Sequence, residues 1–409
     1  MAKHKAETRK DRLRIGTPLW VRTPHSTVDA ATQLVRDRYD VIVVGAGISG
    51  ALMAEALTRD GRSVLVLDRR APVRGSTPAS TAMIQHEIDV PLTRLRRKVG
   101  ADRADRAWLR SAASVEALET LVTKLQIDCQ MRPRPVLYLA GDVTGARGLA
   151  VEAKARQDIG IAAAYLNRAD LVDGFGMERD GAILSQASAS ANPAQLAAGL
   201  LRVAMSRGAR VVSPIEITDM AELSSGIALA TAKGEVLVAD HAVFCTGYEY
   251  LAQMKSAFHR VTSTWALASE PMTGLPRWLR DVMVWEASDP YLYFRTDEAG
   301  RVIAGGEDEN TSDSSSDPGK LSSKAKVIAR KLEALTGVNI GKPAYRWSAP
   351  FSVTRDGLPI IDRVPGFDRV FTVMGFGGNG ITFSMIGAEI VSALIAGRSD
   401  PDADLFHFR

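Results

Sequence analysis

The chain has 409 residues, 46% of them apolar and 24% charged, with a formal net charge of +4, an ordinary globular balance with room for two domains and a sizeable core. That total does not indicate a nucleic-acid partner, and two cysteines, Cys129 and Cys245, give neither a disulfide framework nor a metal-ligand spacing, so no metal is expected and a reducing cytoplasm fits best. No window reaches about 18 uninterrupted apolar residues, so no transmembrane segment is expected.

The first 38 residues carry nine Lys/Arg against four acids. They read as a basic, solvated, partly ordered arm, with docking on an acidic partner as the alternative. The arm lacks the apolar core of a signal peptide, so it is read as neither secretory nor a membrane anchor.

Residues 39–70 read "YDVIVVGAGISGALMAEALTRDGRSVLVLDRR". "VIVV" has the continuous apolar character of a central parallel strand. The turn Gly45-Ala46-Gly47-Ile48-Ser49-Gly50 has G-x-G-x-x-G spacing and runs into a helix predicted over Ile48 to Arg59. "SVLVLD" is a second buried strand closed by Asp68. Gly45 permits the tight turn, Gly47 admits a pyrophosphate to the backbone, and Gly50 lets helix pack on strand. Asp68 is placed to accept hydrogen bonds from ribose hydroxyls. The ligand predicted is an adenine dinucleotide. The Asp68 carboxylate repels a 2′-phosphate despite the adjacent Arg69 and Arg70, which disfavours NADP and leaves NAD and FAD.

"RGSTPASTAMIQHEIDVPLTRL" (74–95) opens with small hydroxyl residues, the composition of a segment facing phosphates or a ring. A helix is predicted over 101–125 and a strand over 136–140. Asn192-Pro193 marks a helix start, with Gly208 as its stop. "ARVVS" and "EIT" are short strands. Residues 226–247 form a hairpin turning at Lys233-Gly234, followed by a strand that ends at "CTG", bringing Thr246 and Gly247 to the nucleotide site. From about His259 to Glu309, aromatic and β-branched residues alternate with polar ones, the pattern of a mixed or antiparallel sheet. A polar loop and a helix over 321–336 follow.

Near the C-terminus a strand, "RVFTVMGF", meets a second glycine-rich helix start, "GGNGITFSMIGAEIVSALIAG", predicted as a helix from about Ile381 to Ala396. A helix N-terminus offers unpaired N–H groups and about half a positive charge. The N1–C2=O edge of an isoalloxazine becomes negative on reduction and matches those donors, whereas a nicotinamide gains no negative charge. This second turn favours FAD over NAD.

The paired elements "VIVVGAGISGALMAEAL…LVLD" and "DGLPIID…VMGFGGNGITFSMIGAEI" resemble the FAD-dependent amine and D-amino-acid oxidoreductase family, to which glycine oxidase, sarcosine oxidase and D-amino-acid dehydrogenase belong. The resemblance runs from about Tyr39 onward and includes "ANPAQLAAGLLRVAMSRGARVV" and "AVFCTG"; "LWVRTP" in the arm is similar to an approach segment of some members. The fold expected is α/β, α+β overall. Residues 39–128, 186–250 and 346–409 are read as a discontinuous Rossmann-type FAD-binding domain, and 129–185 and 251–345 as an inserted mixed- or antiparallel-sheet substrate domain, behind the arm 1–38.

The resemblance implies that Gly45, Gly47 and Gly50 hold the pyrophosphate and Asp68 the ribose. It implies that Ser76, Ala79, Ser80 and Thr81 run beside phosphates and flavin, that Ile215 pairs its backbone with adenine, and that Gly247 closes over the nucleotide. Gly378, Asn379, Gly380, Ile381 and Thr382 would cradle the pyrimidine edge. Sarcosine-oxidase-like members bond flavin covalently through a cysteine seven residues before the counterpart of Asp356; Ala349 stands there, so FAD is expected to be non-covalent.

The family's reaction, oxidation of a C–N bond by hydride transfer to flavin N5 and hydrolysis of the imine, needs positioning more than side-chain chemistry. The candidates are Gln85 and His86 beside the flavin face, His86 as acceptor of an ammonium proton or as a structural histidine, and Arg295 as a bidentate carboxylate ligand or an arginine on a sheet edge. Tyr293 shares the face of Arg295 with Tyr291, lining the pocket or packing as core. Cys245, in an apolar strand, is expected to be inert. The substrate expected is a small amine or amino acid. Oxidation of a 2-hydroxy acid or polyol phosphate, or electron transfer with a partner protein, are the alternatives.

Overall fold

The computed structural model describes residues 13–35, 38–249, 251–254, 256–311 and 314–409; residues 1–12, 36 and 37 of the basic arm lie outside these. Tyr39–Val44 occupies the centre of a Rossmann sheet, as its apolar run predicts. It pairs in parallel with Val64–Leu67 on one side and with Val236–Phe244 on the other. Arg210–Val212 extends the first side in parallel. The far edge of Val236–Phe244 carries the antiparallel strand Gly226–Thr231 and then, in parallel, Val370–Met374. The last strand thus brings the C-terminal glycine turn to the sheet that holds the N-terminal one.

The helix Ile48–Arg59 packs between Pro193–Ser206 and Gly380–Ile395, and each of the three buries most of its residues. Asn192 starts the second as its sequence predicts, its side-chain oxygen accepting from the N–H of Ala194 and of Gln195 at 3.1 Å. Among the described residues no helix is long and apolar enough to cross a membrane.

The second sheet has nine strands. Its order is Ile15–Thr17, Tyr345–Thr354, His259–Ala268, Val302–Glu309, Leu292–Thr296, Met283–Glu286, Val136–Leu139, Gly181–Ser185 and Ala163–Asn167. All neighbours are antiparallel except Met283–Glu286 with Val136–Leu139, so the sheet is mixed. The outermost strands, and the helices Ala146–Asp158 and Arg168–Phe175 beside them, are elements the sequence reading leaves out. Their apolar residues are too sparse to show a period.

Tyr345–Thr354 belongs to the second sheet, paired along its whole length with His259–Ala268, although the sequence reads residue 346 as the start of the last Rossmann segment. Pro350 and the interspersed serines blur its strand pattern, and its partner is far away in sequence. The described part of the basic arm is also no solvated leader. Ile15–Thr17 adds an edge strand to the second sheet, Trp20 is buried, and Ala31 bridges to Val212 at the edge of the Rossmann sheet. The arm straps the two sheets together.

Candidate functional site

Both glycine-rich turns open into one cavity. Val44, Gly45, Gly47, Ile48, Ser49 and Asp68 line one end, and Phe376 through Ile381 line the other. The helices that begin at the two turns are joined directly: Ser49 Oγ and Ser384 Oγ lie 2.6 Å apart, buried.

At the first end, Gly45 has a φ of +111°, a conformation glycine adopts without strain. A Cβ on Gly50 would fall 1.7 Å from the carbonyl oxygen of Gly45, so helix and strand meet where only glycine fits. Ala46 N–H donates to Asp68 Oδ2 and Ile48 N–H to Thr77 Oγ1, at 2.8 and 2.9 Å. The N–H groups of Ser49 and Gly50 precede the first intrahelical bond, from Ala51 to Gly47 O, and suit an anion.

Asp68 Oδ1 accepts from Arg70 N–H at 2.8 Å. Each Asp68 oxygen thus keeps lone-pair capacity for a ribose hydroxyl. Burial pushes this carboxyl above its ordinary range, opposed by those backbone bonds. Arg69 and Arg70 are engaged by acids: Arg70 Nη1 lies 2.7 Å from Glu249 Oε2, and Arg69 pairs with Glu249 and Glu216. Their charge is balanced, in keeping with a nucleotide that lacks a 2′-phosphate. Ile215 lines the cavity and gives its N–H to Asp68 O at 2.8 Å. Ala46 and Gly50 shape the turn from behind and do not line the cavity.

Along the middle of the cavity run Ser76, Thr77, Ala79, Ser80, Thr81, Thr246 and Gly247. Two indoles fix this segment. Trp20 Nε1 donates to Ser80 O and Trp347 Nε1 to Ala79 O, both at 2.8 Å. Cys245 and Ala349 also line the cavity. Burial pushes the Cys245 thiol up to about 12, so it stays protonated and inert.

At the second end the N–H groups of Gly380, Ile381 and Thr382 precede the first bond of the C-terminal helix, from Phe383 to Asn379 O. Gly378 N–H is already donated, to Asp89 Oδ2 at 2.7 Å. Thr382 does not line the cavity; its Oγ1 donates to Gln85 O at 2.9 Å, and Asn379 Nδ2 donates to Glu87 O at 2.6 Å. The helix start therefore staples the segment from Gln85 to Asp89 in place. Of the predicted cradle, Gly380 and Ile381 keep both the cavity lining and the unpaired amide.

Next to this helix start lies a chamber lined by Gln85, Asp89, Tyr248, Thr264, Trp285, Tyr291, Tyr293 and Phe351. Tyr291 and Tyr293 line it together, their rings 5.8 Å apart. Tyr291 Oη donates to Asp308 Oδ2 at 2.6 Å. Burial pushes Asp308 up to about 6, against hydrogen bonds from Tyr291 and Thr264. No sequence signal marks Asp89, Tyr248, Trp285 or Asp308. Asp89 follows "QHE" inside the quoted stretch, and Asp308 stands at period two from Gly306 on its strand, but neither has a motif around it.

Two predicted candidates do not reach the chamber. His86 is wholly buried behind it, its Nδ1–H donating to Ala187 O at 3.1 Å and its ring edge-on to Trp108. Burial holds its pKa down at about 4, so it is a neutral structural histidine. An unfolded histidine titrates near 6.5 and the folded one near 4, so stability is unaffected above the upper value and is lost as pH falls through this window. The loss reaches roughly 3 kcal/mol at pH 4. Urea unfolding at pH 7.5, 5.5 and 4.5 measures this slope, and His86→Gln is expected to flatten it.

Arg295 shares the predicted face but donates its Nε to Thr81 O at 2.7 Å, its Nη2 to Ala191 O at 2.8 Å and its Nη1 to Thr296 O at 3.1 Å. Burial lowers its pKa to about 9. A guanidinium spent on three carbonyls ties its strand to the segments at Thr81 and Ala191 and does not line the cavity.

A family described as "FAD dependent oxidoreductase" matches residues 40–394. The probable oxidoreductase OrdL of Haemophilus influenzae is 21% identical over 372 residues, covering 88% of this chain and 83% of its own length. Glycine oxidase of Geobacillus kaustophilus is 24% identical over 392 residues, 91% of this chain and 96% of its own; its crystal structure superposes with a TM-score of 0.74, covering 91% of this chain and 98% of that one. The structure of L-proline dehydrogenase from P. horikoshii is 17% identical and gives a TM-score of 0.74, over 91% of this chain and 97% of that one.

Proposed function

We propose that this chain, which belongs to the FAD-dependent oxidoreductase family, holds FAD without a covalent bond and oxidises the C–N bond of an amino acid or secondary amine. The observation that carries this reading is that the pyrophosphate-type turn at Gly45 and the unpaired amides of Gly380 and Ile381 line one cavity. FAD supplies an acceptor for the two electrons and one proton of a hydride. The donors of the C-terminal helix favour negative charge beside them, which suits a pyrimidine edge that turns negative on reduction.

The aromatic wall of Trp285, Tyr291, Tyr293 and Phe351 keeps water from the reacting carbon and fixes its approach. The α carbon of a neutral amine gives up its C–H pair as hydride and the nitrogen loses its proton. Water then adds to the imine to release a carbonyl compound with ammonia from a primary amino acid or an amine from a secondary amine. Ala349 and the protonated thiol of Cys245 support non-covalent attachment.

Acid precipitation is expected to leave all the flavin in the supernatant, and anaerobic amines are expected to bleach its absorbance near about 450 nm. Bleaching by 2-hydroxy acids alone would replace the C–N reading with a C–O one. Reduction only after a second protein is added would replace it with electron transfer. A flavin-free protein that binds NAD would end all three.

A further inference from the structure

Charge is unevenly distributed along the cavity. Among the described residues that line it, the arginines are Arg69 and Arg70, both at the nucleotide end beside Glu249. At the chamber end the charged lining residue is Asp89, which is open to the cavity. Gly378 N–H fixes Asp89 Oδ2, and among the described residues Oδ1 has no partner. Burial pushes the Asp89 carboxyl above its ordinary range, against the bond from Gly378, and Tyr248 and Tyr291, whose protons its charge helps to retain, line the same space. Apart from Gln85 and Thr264, the remaining wall is aromatic. Arg295, the side chain positioned by sequence to meet a substrate carboxylate, is consumed by backbone carbonyls.

A carboxylate within a ring of aromatic faces is the chemistry that recognises an ammonium. The same arrangement repels a substrate carboxylate, because like charges brought together in a site of low dielectric oppose binding. We propose that the substrate of this site is an amine without an α-carboxylate, held by Asp89 and the aromatic wall of Trp285, Tyr248, Tyr291 and Tyr293. The proposal rests on the amine-oxidation reading and narrows its substrate class. Asp89 serves the reaction as well as binding. Hydride loss from a neutral amine leaves a positively charged iminium, and a fixed carboxylate stabilises charge that develops there.

Matched pairs test this in the holoenzyme. N-methylisobutylamine and N-methylphenethylamine are expected to reduce the flavin anaerobically at least tenfold faster, at equal subsaturating concentration, than either enantiomer of N-methylvaline and N-methylphenylalanine. Faster reduction by the amino acids overturns the inference and leaves amine oxidation standing. A second measurement does not depend on turnover: perturbation of the flavin spectrum by benzyltrimethylammonium and by phenylacetate, which share a shape and differ in charge. The cation is expected to bind at least tenfold more tightly, and Asp89→Asn to reduce that preference at least tenfold. Equal or tighter binding of phenylacetate to the unaltered protein overturns the inference even if Asp89→Asn fails to hold flavin. Cation binding without reduction by any amine would sink the oxidation reading and leave the recognition of a cation intact.

Discussion

Gly50→Ala is expected to yield protein that retains less than a tenth of the flavin of the unaltered chain and unfolds at a lower temperature. Two effects of opposite sign compete. Gly50 lies inside the helix Ile48–Arg59, and alanine there gains about 1 kcal/mol of helix propensity. Against it stands the methyl group, which would sit 1.7 Å from Gly45 O and 2.9 Å from Gly45 C. Both are main-chain atoms of the turn itself, so no side chain can rotate away. Relief requires the turn and helix to separate, at about 1–3 kcal/mol or more of overpacking, and separation displaces the Ser49 amide from the nucleotide end of the cavity. Gly174 provides the contrast. It also lies in a helix, Arg168–Phe175, it is exposed, and a Cβ there meets nothing within 4 Å. Gly174→Ala is expected to be neutral or to stabilise by up to about 1 kcal/mol, with flavin content unchanged. Flavin-to-protein absorbance and thermal unfolding of the two variants decide the matter; full flavin content in Gly50→Ala would mean that the turn does not carry the nucleotide.

The parts of this site that sequence makes legible are those in which backbone conformation and function coincide. A strand, a glycine turn, a helix and a terminal acid lie within thirty-odd residues, and local spacing alone aligns Gly45, Gly50 and Asp68. The C-terminal turn is legible for the same reason, and two helix starts that suit one ligand imply that they meet, which the bond between Ser49 and Ser384 bears out. Side-chain direction is a different matter. Residue type and neighbourhood mark His86 and Arg295 as candidates, but whether a side chain faces the cavity or its supporting wall depends on packing across long sequence separations. His86 is turned away by Ala187, and Arg295 is claimed by Thr81 and Ala191. Asp89 went unnoticed because a lone acid in a loop has no periodicity; its role becomes visible only when Gly378, nearly 300 residues later, is brought against it.

Arg156→Met is expected to be the most destabilising single change beneath the site, by about 3–5 kcal/mol. Arg156, Glu87 and Glu152 are all buried. Arg156 Nη1 pairs with Glu87, and its Nε lies 2.9 Å from Glu152 Oε1. Its guanidinium also stacks over the Trp108 ring, 4.5 Å from the centroid. Glu152 in turn accepts from Leu92 N–H, Thr93 N–H and Thr93 Oγ1. Deleting the arginine strands two carboxylates in an apolar interior. Arg156 leads the influences that hold the Glu152 carboxyl below its ordinary value against burial. In the unaltered protein Glu152 therefore adds stability that is present above its unfolded pKa and lost as pH falls through the lower folded one. Without Arg156 burial acts unopposed by that charge and the sign reverses: the variant loses stability as pH rises through a raised carboxyl pKa. The stability gap between the two proteins should accordingly be wider at pH 7.5 than at pH 5, as urea denaturation at both values will show; a gap independent of pH would mean that the stranded charges are relieved by water. The loss should also be seen in the chamber. Glu87 Oε2 accepts from Trp285 Nε1 at 2.9 Å and Glu87 O accepts from Asn379, so the same anchor sets one aromatic wall and the start of the C-terminal helix. A flavin spectrum displaced in Arg156→Met at pH 7.5, and restored on adding Glu87→Gln and Glu152→Gln, would trace the effect to this buried ion cluster.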